Sequence, residues 1–291
     1  MKQLSREAFD RARRFLKTQA RPLDRALFEY RFKGGSAESA AAELARFQNE
    51  DGGFGRALEP DLRTPTSSAL ATGIGLRMLK ELKLRADHPM VQGAVRFLLA
   101  TFDDQTQVWR VAPRDANSLP HAPWWHDERG SLARTFDDFQ IIPRAEIVSL
   151  CYHFSTLVPA GWLDDVTERT VVAIETLDDA NFGGGGDTLV YALRLAEAET
   201  LPQLLKDRLT PRLCAIMPTV VKRGALIVPR PSRSFRRQSP SSRTSFGTIC
   251  KVTWITRSPI KAPRGPGSRP GPGVSFIQTR GNKPGKSGAV T

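Results

Sequence analysis

The chain has 291 residues and a formal charge of +13, and its three cysteines lie too far apart for a disulfide framework. The charge is not spread evenly: after Asp207 there are 17 Lys and Arg and no acid, whereas residues 1–207 carry 26 basic and 30 acidic residues, a net of −4. The charged first 20 residues lack the apolar core of a signal peptide and no run of 18 apolar residues occurs, so a cytoplasmic protein without a membrane span is expected.

The periodicity of the first 220 or so residues predicts helices throughout. Leu4, Ala8, Phe9, Ala12, Phe15 and Leu16 share one face. A second helix runs from Leu23 to Phe32 and stops at Gly34-Gly35. Ser36 offers an N-cap to a third, which carries Ala40, Leu44 and Phe47. Thr66, Ser67 and Ser68 open a fourth, with Leu70, Ile74 and Met78 along one stripe. Asp87 and Pro89 start a fifth through Val91, Val95 and Leu98. Arg144 to Phe154, Asp165 to Leu177 and Asp187 to Ala196 complete the set. Strand-like alternation is scarce, so the domain is expected to be all-α with eight or more helices.

A unit repeats weakly along these helices. Leu44-x-x-Phe47-Gln48-x-x-Asp51-Gly52-Gly53-Phe54-Gly55 precedes the helix at Thr66. Ile174-x-x-Leu177-x-x-x-x-Phe182-Gly183-Gly184 precedes the helix at Asp187. A degenerate middle copy runs from Phe97-Leu98-Leu99 through Asp103 to Trp109. In each copy the glycines or polar residues permit a tight reversal and an aromatic plugs between helix ends. Gln48 is expected to bond the free N–H groups of a neighbouring helix start.

His121-Ala122-Pro123-Trp124-Trp125-His126-Asp127-Glu128 is the densest chemical cluster. His126 or Asp127 are the candidate acid–base groups. His121, Trp124 and Trp125 are the candidate ligand-binding residues, the indoles suiting an apolar, cationic or sugar-like partner. A loop whose tryptophans fill the fold is the structural alternative. Asp164-Asp165-Val166-Thr167-Glu168 has acid spacing that suits Mg²⁺. It reads better as a helix start, with Trp162-Leu163 as the loop before it. His153 beside Cys151 reads as a packed histidine. Gly183 to Gly186 lack the Lys-Ser/Thr of a phosphate loop and read as a turn. Neither a metal site nor a cofactor is expected.

Phe47-Gln48-Asn49-Glu50-Asp51-Gly52-Gly53-Phe54-Gly55 resembles the turn of the prenyltransferase and squalene-cyclase superfamily, in which Gln-x-x-x-Gly-x-aromatic links paired helices. Pro120-His121-Ala122-Pro123-Trp124-Trp125 and Pro143-Arg144-Ala145-Glu146-Ile147 look like an uncharacterised bacterial group within it. The resemblance covers residues 1–223 and implies an α/α toroid of the terpenoid cyclase and prenyltransferase type, incomplete at its C-terminal end. It implies a central apolar cavity that binds or transforms a hydrophobic, isoprenoid-like small molecule. It does not carry over a reaction. The Asp-x-Asp-Asp motif of the cyclases is absent, and Ser149 stands where the zinc-binding Asp of the prenyltransferases would precede Cys151. A non-catalytic scaffold for protein contacts is the alternative.

Residues 224–291 are rich in Pro, Arg, Ser and Gly and are expected to be disordered. One reading is a basic arm for nucleic acid. The composition better fits a shifted reading frame beginning between about residues 215 and 230. Back-translated in the frame that starts on the third base of each codon, residues 238–256 can encode an acid-containing amphipathic helix, and residues 270–288 a Trp-rich segment.

Overall fold

The computed structural model describes residues 5–178 and 187–222, with side chains as far as Met217. The Phe182–Gly186 turn and the tail after residue 222 lie outside the described residues, as does Cys250. All described residues fall within one compact unit spanning residues 1–237. No strand forms among them; only isolated bridges occur, such as Gln48 with Phe54. None of their helices is long and apolar enough to cross a membrane.

Ten α-helices are described: α1 (Arg6–Gln19), α2 (Pro22–Lys33), α3 (Ala37–Ala45), α4 (Ala69–Glu81), α5 (Pro89–Thr101), α6 (Ser131–Thr135), α7 (Arg144–His153), α8 (Ala160–Thr176), α9 (Asp187–Ala196) and α10 (Gln203–Lys222). Their ends follow local chemistry. Ser5, Ser36 and Ser68 cap α1, α3 and α4 by accepting from the N–H three residues on. Pro22 and Pro89 open α2 and α5. The cap of α5 is His88, whose Nδ1 accepts from Met90 N–H at 3.2 Å, and not Asp87. Gly34 ends α2 in the left-handed conformation, with φ +76°.

The helices pack as pairs: α2 on α3, α4 on α5, α7 on α8, and α9 on α10. Helices α4, α7 and α9 also pack side by side, and α10 packs on α8. Residues Ala69–Leu76 of α4 and Arg144–Cys151 of α7 are buried on every face, so these helices form an inner row. Helices α5, α8 and α10 each bury one stripe and back that row. The chain thus passes from an outer helix through a turn to an inner helix from α3 to α4 and from α5 to α7, and α8 and α9 stand in the same outer-to-inner order. Between α5 and α7 the turn ending at Trp109 is followed by a 34-residue insertion, 110–143, built of short turns and α6.

Two helices differ from the sequence expectation. Helix α8 begins at Ala160, so Trp162 and Leu163 are helical and Asp164-Asp165 lie in its second turn. The cause is tertiary: the Trp162 ring packs edge-on against Trp109, 5.8 Å away, and Phe102, 5.2 Å away. Helix α10 was not expected, because Pro211 and Pro218 interrupt its span. Leu209, Leu213 and Ile216, all within 1 % of full burial, hold it against α8 and α9.

Candidate functional site

The turn after α3 is a packed junction. Phe54 is fully buried, its N–H donates to Thr72 Oγ1 of α4 at 2.9 Å, and its ring lies over Gly75 so closely that a Cβ there would sit 2.6 Å from it. Gly52, at φ +85°, rests on α5, where a Cβ would meet the Gly93 carbonyl at 2.5 Å. The Asp51 carboxylate accepts from Gly53 N–H at 2.8 Å and from Ser67 Oγ at 2.9 Å. Gln48 does reach a neighbouring helix start, but as a donor: its Nε2 bonds the carbonyls of Gly52 at 2.8 Å and Met90 at 3.0 Å. The first turn of α5 is capped by its own His88, which leaves Gln48 to tie the turn to α5 through a carbonyl. Every functional group of Gln48, Asp51, Gly52, Gly53 and Phe54 described here is directed at the protein.

The insertion carries a different kind of surface. Both indoles of the Trp124-Trp125 pair donate to one carboxylate, that of Asp61: Trp124 Nε1 to Oδ2 at 3.0 Å and Trp125 Nε1 to Oδ1 at 2.8 Å. Backbone bonds from Ala122 N–H to the Asp61 carbonyl and from Arg63 N–H to the Pro120 carbonyl pin the two loops together. Trp125 is buried and stacks on Phe136 at 5.5 Å, whereas Trp124 is 48 % exposed. His121 Nδ1 lies 2.6 Å from the Leu119 carbonyl, which can only accept, so the proton sits on Nδ1. His121 Nε2 is then the acceptor for His126 Nδ1–H at 3.2 Å, and the basic nitrogen of the neutral pair is Nε2 of the exposed His126.

Asp127, expected as an alternative acid–base group, is spent structurally. Burial opposes its charge, but the Leu132 N–H and the Arg110 guanidinium outweigh that and hold the carboxyl below the usual carboxylate range. Its backbone N–H and carbonyl are clamped by the Asn117 amide at 2.9 and 2.8 Å. A carboxylate so held is a poor proton acceptor near neutrality.

Sequence reasoning missed the group that makes this region chemically distinct. Glu59 is largely buried beside Asp61. Burial first, then the Asp61 charge and a hydrogen bond between the two carboxyls, push the Glu59 carboxyl up to about 7, against the pull of Arg77 and Arg21. Two indole N–H groups fix the Asp61 side of this carboxyl pair. Arg77 continues inward to Glu146, which is 3 % exposed and receives Arg77 Nε at 2.9 Å and Arg194 Nη1 at 2.8 Å. The Arg77 contact is an ion pair without hydrogen-bond alignment. The signal present in the sequence was the Glu59-Pro60-Asp61 spacing across a turn.

Other sequence candidates resolve as follows. In the Asp164–Glu168 stretch, Asp165 pairs with Arg169 at 2.9 Å and Glu168 with Arg208 at 2.7 Å. Ser149 is buried and its Oγ donates to the Glu146 carbonyl at 2.7 Å. Cys151 is buried and its thiol is pushed up to about 12 by desolvation. His153 is not packed as expected: it is exposed at the end of α7 and lines an open groove with Lys80, Lys83 and Arg85. Partial desolvation of the ring and the Lys80 charge hold it below the usual imidazole range. Among the described residues no group of three or more His, Cys, Asp or Glu could hold a metal ion. Comparison with family models, curated proteins and solved structures returns no match.

Proposed function

We propose that this chain binds a small molecule with an apolar, isoprenoid-like part against Trp124, and that Glu59 and Asp61 serve as a proton-holding pair beside it. The paired helices are read as an arc of the α/α toroid that the Gln48–Phe54 turn suggests. The observation that carries the reading is the Asp61 carboxylate, which accepts two indole N–H groups beside Glu59, whose carboxyl burial and the Asp61 charge push up to about 7. A carboxylic acid kept neutral near pH 7 is a proton donor in waiting. An aromatic ring half open to solvent and fixed through its N–H is a rigid apolar contact. His126 Nε2 supplies the complementary base. The test is a thermal-shift titration of the full chain with farnesol, followed by mass spectrometry of co-purified ligands. A saturable shift supports the reading; no shift and no lipid-like ligand refute it.

A non-catalytic scaffold is the second reading. It is favoured by one observation: both Asp61 oxygens and the Asp127 carboxylate are already satisfied by the protein, as struts between loops would be. Farnesol binding unaffected by replacement of Trp124 would favour it. Nucleic-acid binding rests on the sequence after residue 223 alone. It predicts affinity that falls steeply with salt and vanishes on truncation after Arg223. Resequencing codons 205–291 decides whether that arm is the genuine frame.

A further inference from the structure

Buried guanidinium groups are normally paired with a carboxylate, because the interior does not solvate an isolated charge. Arg144, the first residue of α7, breaks that pattern. It is 0 % exposed and forms no ion pair among the described residues. Its Nη1 donates to the Gln107 carbonyl at 2.9 Å and its Nη2 to the Arg169 carbonyl at 3.1 Å. Its Nε has no hydrogen-bond partner. Burial, and then the like charge of Arg169, pull the guanidinium down to about 10.

Arg144 lines a cavity of about 380 Å³. Beside the apolar Val172 the walls carry the amides of Gln105, Gln107 and Gln140, the Thr106 hydroxyl and the guanidinium of Arg169, whose Nε is held by Asp165. The one acid on the wall, Glu168, is engaged by Arg208 at 2.7 and 2.9 Å, so it does not neutralise Arg144. The Gln107 amide is held by the Asp104 carbonyl at 2.8 Å, which fixes the hairpin that forms one side.

We propose that this cavity, between the 103–108 turn, Gln140 and α8, is an oxyanion-binding site that takes a carboxylate or phosphoryl group of a small ligand on Arg144. An anion there supplies the missing counter-charge, and the amides complete its coordination. The site shares no residue with the Trp124–Asp61 cluster and does not depend on its assignment.

The test replaces chloride with inorganic phosphate, or separately with acetate, at constant ionic strength and follows the melting temperature of the full chain. The expected result is a saturable rise with at least one of the two; phosphate alone indicates a phosphoryl ligand and acetate alone a carboxylate. Gln140→Glu places a carboxylate on the wall. It is expected to raise the melting temperature without added anion and to weaken anion binding by roughly tenfold or more. Gln140→Ala, which adds no charge, is expected to weaken binding less and to leave the anion-free melting temperature unraised. The proposal is overturned if neither anion gives a saturable shift, or if Gln140→Glu and the natural chain respond equally.

Discussion

The turn at 47–55 and the loop at 119–128 both connect helices of the same domain, yet they are built on opposite principles. The first is steric. Phe54 sits over Gly75, Gly52 rests on Gly93, and Gln48, Asp51 and the Phe54 N–H bond groups of the turn and of the neighbouring helices. The second is electrostatic. Its indoles converge on the Asp61 carboxylate, its imidazoles pair with each other, and Trp124 is half exposed. A junction built on close steric contacts holds helices together. A loop that keeps an aromatic face near solvent presents a surface to other molecules. The motif that is easiest to recognise is thus the steric one, and the densest cluster of aromatic and titratable side chains lies in the insertion that interrupts the repeat.

Mutation should separate the two regions by their effects on stability. Phe54→Ala is expected to have the largest effect, about 3–5 kcal/mol, because it empties a fully buried aromatic site between α4 and the turn. Gly52→Ala should follow at about 3 kcal/mol, since the left-handed backbone and the Gly93 carbonyl both oppose a Cβ. Both values come from urea unfolding; a loss under 1 kcal/mol for either would break the steric account of the turn.

Glu59 gives a smaller and pH-dependent effect. Its folded-state carboxyl is raised to about 7 from an ordinary 4.5, so the folded chain holds the proton more tightly than the unfolded one. That stability is fully present below about pH 4.5 and is lost as pH rises through about 7. Allowing for partial solvent screening, the loss is about 2 kcal/mol. Glu59→Gln keeps a donor for Asp61 and should remove this slope, leaving the variant more stable than the natural chain at pH 8. Identical slopes in the two proteins would contradict the raised Glu59 carboxyl. His126→Ala should change stability least, by under about 0.5 kcal/mol, because the ring is exposed. A larger loss in thermal unfolding would make the imidazole pair a structural element.

Much of the fold was legible because helix periodicity and capping are local. Ser36, Ser68 and Pro89 mark helix starts that the structure keeps. What escaped was set by distant partners. The first turn of α8 is helical because Trp162 meets Trp109 and Phe102, and α10 persists through Pro211 because Leu209 and Leu213 are buried. The candidate site was half legible. The His121–Asp127 cluster stands out by residue type, but adjacency in sequence could not show that Asp127 would be spent on Arg110. Nor could it show that Asp61, more than 60 residues before Trp124, would gather both indoles. Arg144 was visible as a letter; that its Nε is buried without a hydrogen-bond partner among the described residues is a property of the folded chain alone.

The most direct test of the contrast is the farnesol thermal shift measured on the natural chain beside Trp124→Ala, a replacement at a half-exposed position. The account predicts a saturable shift in the natural chain and its loss in the variant, with the ligand-free melting temperature of the variant little changed. A shift of equal size in both proteins, or in neither, would contradict the assignment of ligand binding to the Trp124–Asp61 loop.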